Sequence, residues 1–384
     1  MTLRARLLAG CVGIAVYAYA GYPVLMWAIA RVRRRPVASA VVIPSLSVII
    51  AAHNEAHSID KKLASIFAQE YPQHLVKVIV ASDGSTDRTV AVAQEWAHRG
   101  VQVLDLPRVG KARALDAAVA VANNDVLVMT DANAVLQPGA LAALMRPFGD
   151  PQVGGVCGNE LRRPTDGASA ASLGERLYWE YDKWIKRQES CAGSIVAASG
   201  SLYALYRHLY RPVTDPAATD DFVISTQVVR VGKRLVFAED AQTVEPATPS
   251  GDVEFTRKVR ITTRGIRSVW SARDLLNPQR TGIYAVTLFS HKIVRRLVGF
   301  AAVGTFVTSA TLARQRRYRV FLLLQMLFYT SAAIGWVGQG KPWGRRKWLY
   351  IPYYACMSNL AVMLGILNAV RRKRLETWEP QREP

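Results

Sequence analysis

Polar residues are concentrated where three predicted strands end. The runs "HNE" (53–55), "DGSTD" (83–87) and "TDAN" (130–133) each follow an apolar stretch. A carboxylate such as Asp131 at the tip of a buried strand costs desolvation energy unless another group pairs with it. In a largely parallel α/β sheet, ligands bind beyond the carboxyl ends of the strands. These three strand ends therefore predict a ligand site rich in hydrogen-bond acceptors.

Several other chemistries are disfavoured by spacing. No G-x-G-x-x-G follows the first strand, and "RVGKAR" lacks the spacing of a P-loop, which argues against a dinucleotide oxidoreductase and a P-loop ATPase. His53 and His57 are four residues apart, but Glu55 is misplaced for the H-E-x-x-H motif of zinc proteases. The four cysteines are scattered without a C-x-x-C pair, so neither a disulfide framework nor a zinc ribbon is indicated.

Short strands alternate with amphipathic helices in the segment that would position these residues. The predicted strands are "LSVIIAA", "VKVIVAS", "VQVLDL" and "DVLVMT", and the helices between them are "SIDKKLASIFAQE", "STDRTVAVAQEWAHR" and "GKARALDAAVAVAN". This alternation predicts an α/β fold with a mostly parallel sheet that is covered on both faces.

Positive charge lies at the two ends of the chain. The 384 residues carry a formal net charge of +20, of which +6 falls in residues 1–40, +10 in residues 297–384 and +4 in the middle. Because the basic residues at the ends flank apolar runs, they indicate a membrane surface and not a nucleic acid as the partner.

Apolar runs long enough to cross a membrane occur at both ends. The N-terminal run is 7–30, and three more follow at 297–313, 320–338 and 349–370, the first of which is short. A cleaved signal peptide is the alternative for the N-terminal run, because "AYA" (18–20) resembles a cleavage site. The run continues past that site to "RVRRR", however, which is typical of a stop-transfer segment.

Five motifs together resemble the family 2 glycosyltransferases, which have a GT-A fold. They are "SVIIAAHNE", "VIVASDGSTDRT", "GKARALDAAV", "MTDAN" and "TDDF", in the family's order and spacing. The resemblance extends from about Leu46 to the C-terminus, where "LFSHKIVRRL" (288–297) and "TWEP" (377–380) resemble a membrane-bound bacterial branch that makes exopolysaccharides or lipid-linked glycans.

The resemblance implies a nucleotide-sugar site with a divalent metal. Asp131 and Asn133 occupy the family's D-x-D position, which binds Mg²⁺ or Mn²⁺ beside the diphosphate, although the amide supplies one negative charge fewer than an acid. Asp83 matches the residue that recognises the base, Glu55 an acid that contacts the nucleoside, and Lys111 a basic residue near the nucleotide. The alternative is that these are ordinary turn residues, with Asp131 capping its turn.

The resemblance also implies the catalytic residues. Counting back from Gly232 places the family's catalytic aspartate at Asp221, with Asp220 in the preceding acidic position. A carboxylate there can deprotonate the acceptor hydroxyl as it attacks the anomeric carbon. The alternative is a pair of acids that stabilise a helix N-terminus.

Basic residues occupy the position at which processive family members carry the motif Q-x-x-R-W. The segment reads Arg257-Lys258-Val259-Arg260-Ile261, so the cations are kept but the tryptophan is absent. Arg257, Lys258 and Arg260 are predicted to neutralise the departing diphosphate. The alternative is a basic amphipathic helix that lies on anionic lipid.

The sequence thus predicts an inverting, hexosyltransferase-type enzyme of polysaccharide biosynthesis. It would transfer a sugar from a nucleotide diphosphate sugar, expected to be a UDP-sugar, to a lipid-linked or growing glycan acceptor. The alternatives are a processive exopolysaccharide synthase and a non-catalytic glycan-sensing or scaffold subunit. Membrane lipids are further partners, and the oligomeric state stays open.

The expected organisation has four parts. They are a transmembrane helix with its basic flank (1–40), a GT-A domain (41–280), an interfacial amphipathic segment (281–296), and a membrane region of two to three helices with a basic tail (297–384). A multi-pass protein of the cell inner membrane with a cytoplasmic catalytic domain is expected. Three C-terminal spans would then put "RRKR" (371–374) outside, against the positive-inside rule.

Overall fold

The structure, a computed structural model, describes residues 2–38, 40–163, 170–215, 217–246 and 250–371. The "TWEP" motif (377–380) and all but the first residue of "RRKR" (371–374) lie outside the described residues.

Within the described residues, eight strands form one sheet in the order β3-β2-β1-β4-β7-β6-β8-β5. The strands are β1 Leu46–Ala52, β2 Val76–Asp83, β3 Val101–Leu106, β4 Val126–Asp131, β5 Val135–Leu136, β6 Val153–Arg163, β7 Tyr203–Tyr206 and β8 Arg234–Pro246. Strands β1 to β4 pair parallel with one another, as do β6 and β8, whereas β5 and β7 join their neighbours antiparallel. The predicted mostly parallel sheet is confirmed.

The helices of the described residues cover this sheet and continue into the apolar ends. They are α1 Leu3–Val16, α2 Tyr22–Val32, α3 Ala56–Phe67, α4 Thr89–Gln94, α5 Lys111–Ala120, α6 Ala140–Met145, α7 Ala170–Ala192, α8 Asp220–Arg230, α9 Gly251–Ser271, α10 Pro278–Thr281, α11 Ile283–Leu288, α12 Val298–Thr311, α13 Arg316–Val337 and α14 Lys347–Val370.

Burial on both faces explains why the central strands are apolar along their whole length. Every residue of β1 is buried. Ile49 packs into the core on one face of the sheet, and Val48 and Ile50 pack into the core on the other. The predicted helix over 85–99 is shorter in the structure, because α4 ends at Gln94 and a 3₁₀ turn leads to Gly100, whose φ of +85° ends the element.

Four helical stretches are long and apolar enough to cross a membrane. They are Leu3–Val32, Ile283–Thr311, Arg316–Val337 and Lys347–Val370, identified by length and composition among the described residues. The segment predicted as interfacial (281–296) is helical from Ile283 and runs into α12, so the short apolar run at 297–313 forms part of a longer candidate span. The four-part division of the chain remains a prediction.

A buried polar cluster attaches two of these stretches to α7. The carboxylate of Glu189, which is fully buried, accepts a hydrogen bond from the hydroxyl of Tyr22. Its Oε1 atom also lies 2.9 Å from Nδ1 of His291. Buried acids need such partners, because an uncompensated carboxylate in an apolar interior is costly. The cluster holds the sheet domain at a defined position against the apolar helices.

Candidate active site

The carboxyl ends of β1, β2 and β4 bring three predicted site residues to one edge of the sheet. In the strand register, Ala51 lies opposite both Ala81 and Asp131, so the residues after β1 and at the ends of β2 and β4 are neighbours. Glu55 follows β1, while Asp83 and Asp131 end the other two strands. The edge therefore has the geometry that the sequence predicts for a ligand site.

Asp83 holds the loop that precedes α5. Its Oδ1 atom accepts hydrogen bonds from the backbone N–H groups of Val109 and Gly110 at 2.7 and 2.8 Å, and its Oδ2 atom lies 2.9 Å from the Arg108 guanidinium. Gly110 has a φ of +89°, which only glycine adopts readily. The carboxylate is 1% exposed. Recognition of a base by Asp83 stays a prediction.

Glu55 lies at the start of α3, next to the turn that follows β2. Its side chain is buried, and its backbone N–H donates to the Thr89 hydroxyl at 2.7 Å. Asp87 joins the same two helix starts, because its carboxylate accepts from the backbone N–H groups of Ala56 and Thr89 at 3.1 and 2.9 Å. Asp87 is thus a capping residue that lies beside the proposed nucleoside contact.

Lys111 connects the strand edge to the acidic pair. Its ammonium lies 2.7 Å from Oδ1 of Asp131 and 3.2 Å from Oδ2 of Asp220. Burial opposes its charge, but the two carboxylates outweigh that effect and raise the pKa of Lys111. The predicted basic residue near the nucleotide therefore joins two acids that are 89 positions apart in the sequence.

Asp220 and Asp221 begin α8 and differ in their electrostatic surroundings. Burial disfavours the charge of Asp220, but Lys111 and Arg264 overcome it and lower its pKa. Burial and then the charge of Asp220 raise the pKa of Asp221 to about 6. Two neighbouring carboxylates with pKa values shifted in opposite directions are a pattern expected of acid–base catalysis.

The segment before α8 is fixed by side chains of α9. Arg264 donates to the Ala218 carbonyl at 2.6 Å, and the Ser268 hydroxyl accepts from the Thr219 backbone N–H at 2.7 Å. A guanidinium nitrogen of Arg264 also lies 3.9 Å from Oδ1 of Asp220. Helix α9 therefore sets the direction in which the acidic pair points.

The cations of α9 are distributed over two kinds of surroundings. Arg257 pairs with Glu254 at 2.9 Å and with Glu175 at 2.7 Å. Lys258 lies 3.2 Å from Glu254 and over the rings of Tyr178 and Tyr354. These acids already neutralise both cations, and their role toward a diphosphate stays a prediction.

Arg260 lies in a different electrostatic environment on the same helix. Its pKa is lowered by burial and then by the charges of Arg264 and Arg257. An excess of positive charge of this kind would be relieved by an anion. The role of Arg260 toward a diphosphate stays a prediction, as it does for Arg257 and Lys258.

Known proteins with similar sequences point to one family. The sequence profile of Glycosyl transferase family 2 matches residues 47–211. This segment is a family 2 glycosyltransferase domain. It is 29% identical over 171 residues to a poly-beta-1,6-N-acetyl-D-glucosamine synthase of Staphylococcus epidermidis, an alignment that covers 43% of this chain and 40% of the relative. It is also 33% identical over 122 residues to an N-acetylglucosaminyltransferase of Rhizobium leguminosarum bv. trifolii, covering 30% of this chain and 66% of the relative.

The glycosyltransferase domain and its helices also resemble a solved structure over nearly their whole length. The mannosyltransferase PcManGT of Pyrobaculum calidifontis, solved with GDP-Man and Mn²⁺, has a TM-score of 0.74 and 22% sequence identity. The match covers 96% of this chain and 99% of that one. The fold is therefore GT-A, as predicted. The chain spans about two-fifths of the length of the first curated relatives that it matches.

The D-x-D position of the glycosyltransferase domain suits a divalent metal that also binds phosphate. No group of three His, Cys, Asp or Glu side chains that could hold a metal occurs within the described residues. Asp131 offers a carboxylate that is 30% exposed, and Asn133 is half-buried two residues later. A Cβ at Gly200 would lie 3.1 Å from Oδ2 of Asp131, so a larger residue there would crowd the carboxylate. One carboxylate and one amide fit Mg²⁺ or Mn²⁺, which commonly take remaining ligands from water and phosphate.

Two charged residues near the site were not predicted from the sequence. Arg108 binds Asp83, and Lys62 is buried beneath the Asp131 turn. A signal existed for Lys62, because it lies three residues after Ile59 and four before Ile66, on the apolar side of the predicted helix. Arg108 carries no comparable local signal.

Proposed function

We propose that the protein is a membrane-bound, inverting glycosyltransferase that moves a sugar from a nucleotide diphosphate sugar to a lipid-linked or growing glycan acceptor. The observation that carries this proposal is the charge pattern around Lys111. It pairs with Asp131 at the metal position and with Asp220 of the acidic pair, while Asp221 has a pKa of about 6. Lys111 would thus contact both the position that binds the donor and the acidic pair that supplies the base.

Asp221 is the proposed general base. Its carboxylate takes the proton of the acceptor hydroxyl as the acceptor oxygen forms a bond to the anomeric carbon. The bond between that carbon and the diphosphate oxygen breaks at the same time, and the electron pair leaves with the nucleoside diphosphate. A pKa near 6 suits this task, because the group is ionised at neutral pH yet basic enough to accept a proton.

Cations are proposed to stabilise the leaving group. Arg260 and Arg264 lie four residues apart on α9, and the ammonium of Lys111 lies 2.7 Å from Asp131. A divalent metal, when bound at Asp131 and Asn133, would supply further positive charge to the diphosphate oxygens. These side chains act where negative charge develops, which is where preorganised charges contribute most.

The donor is proposed to be a UDP-sugar with Mg²⁺ or Mn²⁺. Two similar curated proteins are named for N-acetylglucosamine, and the similar solved structure contains GDP-Man and Mn²⁺. The test is to screen UDP-, GDP-, dTDP- and ADP-sugars for protection of the purified protein against thermal unfolding, with and without Mn²⁺. Protection by a UDP-sugar that requires Mn²⁺ is expected, and absence of protection by every donor would contradict the proposal.

A processive exopolysaccharide synthase is the second candidate. It is favoured by the similarity to poly-beta-1,6-N-acetyl-D-glucosamine synthases, whereas Ile261 in place of the family's tryptophan disfavours a grip on a polymer. Product length separates the two, because single addition yields one sugar per acceptor and a processive enzyme yields long chains at low turnover. A non-catalytic subunit would show neither transfer nor hydrolysis of the donor.

Location is part of the same proposal. The four apolar stretches favour a multi-pass protein of the inner membrane, with the catalytic domain on the cytoplasmic side, where nucleotide sugars are made. Labelling of single cysteines placed in intact cells at the exposed Ala97 of the sheet domain and at the exposed Lys341 between α13 and α14, with the native cysteines replaced, would report the side of each. Labelling of the Ala97 position from outside would contradict this orientation.

A further inference from the structure

Lys62 is a fully buried cation beneath the proposed metal position. It lies in α3 with no exposed surface, whereas its neighbour Lys61 is exposed. Among the described residues, its ammonium contacts a hydroxyl and a carbonyl and has no carboxylate within salt-bridge distance. Burial without a paired acid is costly for an ammonium, so packing of the core alone does not explain a lysine at this position.

The two hydrogen bonds of Lys62 bracket the turn that carries Asp131 and Asn133. Its Nζ atom lies 2.6 Å from the Thr130 hydroxyl, one residue before the turn, and also donates to the Ala134 carbonyl, one residue after it. One side chain thus fixes both ends of a turn whose middle supplies the proposed metal ligands.

Thr130 extends this arrangement to a second segment. Its hydroxyl donates to the Ser201 carbonyl at 2.6 Å, and the preceding residue, Gly200, lies against Asp131. The path from Lys62 through Thr130 to Ser201 therefore joins α3, the Asp131 turn and the segment before β7. Loss of a side chain that orients metal ligands from behind typically lowers metal affinity about 10–100-fold.

We propose that Lys62 is a positioning residue that holds the Asp131–Asn133 turn in the geometry needed to bind a metal-bound diphosphate. This inference rests on the proposed function, because it assumes a nucleotide donor. Burial lowers the pKa of Lys62 to about 7, opposed by Asp131 and then Glu245. The charges of both acids thus favour the ammonium form that makes the two hydrogen bonds.

The test compares metal-dependent and metal-independent nucleotide binding in the full chain. Titration calorimetry would measure binding of UDP with Mn²⁺, UDP with EDTA, and UMP, for the wild type and for Lys62→Met and Lys61→Met. GDP and GMP replace these probes if guanosine donors protect better in the thermal screen. In Lys62→Met, we expect the gain in UDP affinity from Mn²⁺ to fall by about 10-fold or more. UMP affinity should change less than about twofold, because the nucleoside contacts lie elsewhere, and Lys61→Met should resemble the wild type.

Other outcomes have definite meanings. An unchanged or larger Mn²⁺ effect in a folded Lys62→Met protein would overturn the inference and leave Lys62 as a core residue alone. Equal losses for UDP and UMP would overturn it too, because they would indicate general distortion. If the wild type binds UDP equally well with Mn²⁺ and with EDTA, the metal dependence in the proposed function is contradicted, and the inference about Lys62 is overturned with it.

A second variant covers the case in which Lys62→Met does not fold. Thr130→Val removes the hydroxyl that Lys62 contacts while keeping the shape of the side chain, and Thr130→Ser retains the hydroxyl. Selective loss of the Mn²⁺ effect in Thr130→Val, with recovery in Thr130→Ser, is expected. A Thr130→Val protein with the wild-type Mn²⁺ effect would contradict the inference.

Discussion

Two regions of this site are held together in different ways: the proposed nucleoside edge around Asp83 and Asp87, and the acidic centre around Lys111, Asp131 and the Asp220–Asp221 pair. At the nucleoside edge, Asp83 accepts hydrogen bonds from the backbone N–H groups of Val109 and Gly110, and Asp87 caps the starts of α3 and α4. At the acidic centre, Lys111, Asp131, Asp220 and Arg264 hold one another through side-chain charges. Backbone hydrogen bonds keep a loop in place at any pH near neutrality, whereas a network of charges responds to protons, metals and single substitutions. The comparison predicts that chemistry and nucleotide binding can be separated by mutation.

The largest expected effect separates the two regions at Asp221. Asp221→Asn keeps the shape of the side chain and removes the proposed proton acceptor, so transfer should fall by about 10²–10⁴-fold. Nucleotide-sugar affinity should stay within a few-fold, because the nucleoside edge is untouched. Transfer rates and calorimetry on the purified variant are the measurements.

Asp220→Asn is the matched control for the acidic pair. It should slow transfer less than Asp221→Asn, because Lys111 keeps its contact with Asp131. An inactive Asp220→Asn protein beside a nearly normal Asp221→Asn protein would show that the base is assigned one residue too late.

Metal removal should separate the diphosphate from the nucleoside. With EDTA, nucleotide-sugar affinity should fall by about tenfold or more, equivalent to about 1.4 kcal/mol, because the diphosphate loses the charge of the metal, while binding of the nucleoside monophosphate persists. Equal donor affinity with and without EDTA would remove the metal from the proposal.

The transfer rate should depend on pH through the ionisation of Asp221. Because burial and Asp220 raise the pKa of Asp221 to about 6, its ionised fraction and the transfer rate should fall about tenfold per pH unit below that value. Its folded pKa lies above the ordinary value of 3.8, so ionisation of Asp221 costs stability as the pH rises through 6. The melting temperature of the wild type relative to Asp221→Asn should therefore decline over the same range in which activity rises. A transfer rate that stays constant from pH 5 to 8 would contradict the rate prediction. A melting-temperature difference that stays constant over the same range in which activity rises would contradict the stability prediction.

Substitution of Asp83 should lower stability and nucleotide affinity and leave the pH dependence of transfer unchanged. Asp83→Asn loses the charge that faces Arg108 and, when its Oδ1 keeps accepting from Val109 and Gly110, turns an amide NH₂ toward that guanidinium, so unfolding free energy should fall by about 1–3 kcal/mol. Nucleotide affinity should fall with it, while the pH at half-maximal rate stays near 6. A shift of that pH in Asp83→Asn would mean that the two regions are electrostatically coupled.

The smallest effect is expected at Asn133. Asn133→Asp restores the second acid of the family motif without changing the size of the side chain, so activity should persist within a few-fold. The ratio of activities with Mg²⁺ and Mn²⁺ should change, because the affinity of a site for each ion depends on the type and charge of its oxygen ligands. A folded but inactive variant would show that Asn133 has a task other than metal binding.

The order of the elements could be predicted from the sequence because it depends on local patterns. Four strand predictions agree with β1 to β4 within one residue, and the polar residues at their ends do meet at one edge. Apolar runs of sufficient length likewise predict the four candidate spans. Strand β7, which is inserted antiparallel between β4 and β6, and the edge strand β5 have no such local pattern, since they are short and are placed by their partners.

Tertiary structure decided which charges face each other and how strongly. Nothing near Lys111 in the sequence indicates that it joins Asp131 to Asp220, and the acids that neutralise Arg257 and Lys258 come partly from α7. The pKa of Asp221 depends on burial by elements far away in the chain. Sequence patterns determine which residues lie on an apolar face or at a strand end, because these follow from the period of one element. Charge pairing and desolvation depend on the distances between elements, and only the packed fold sets those distances.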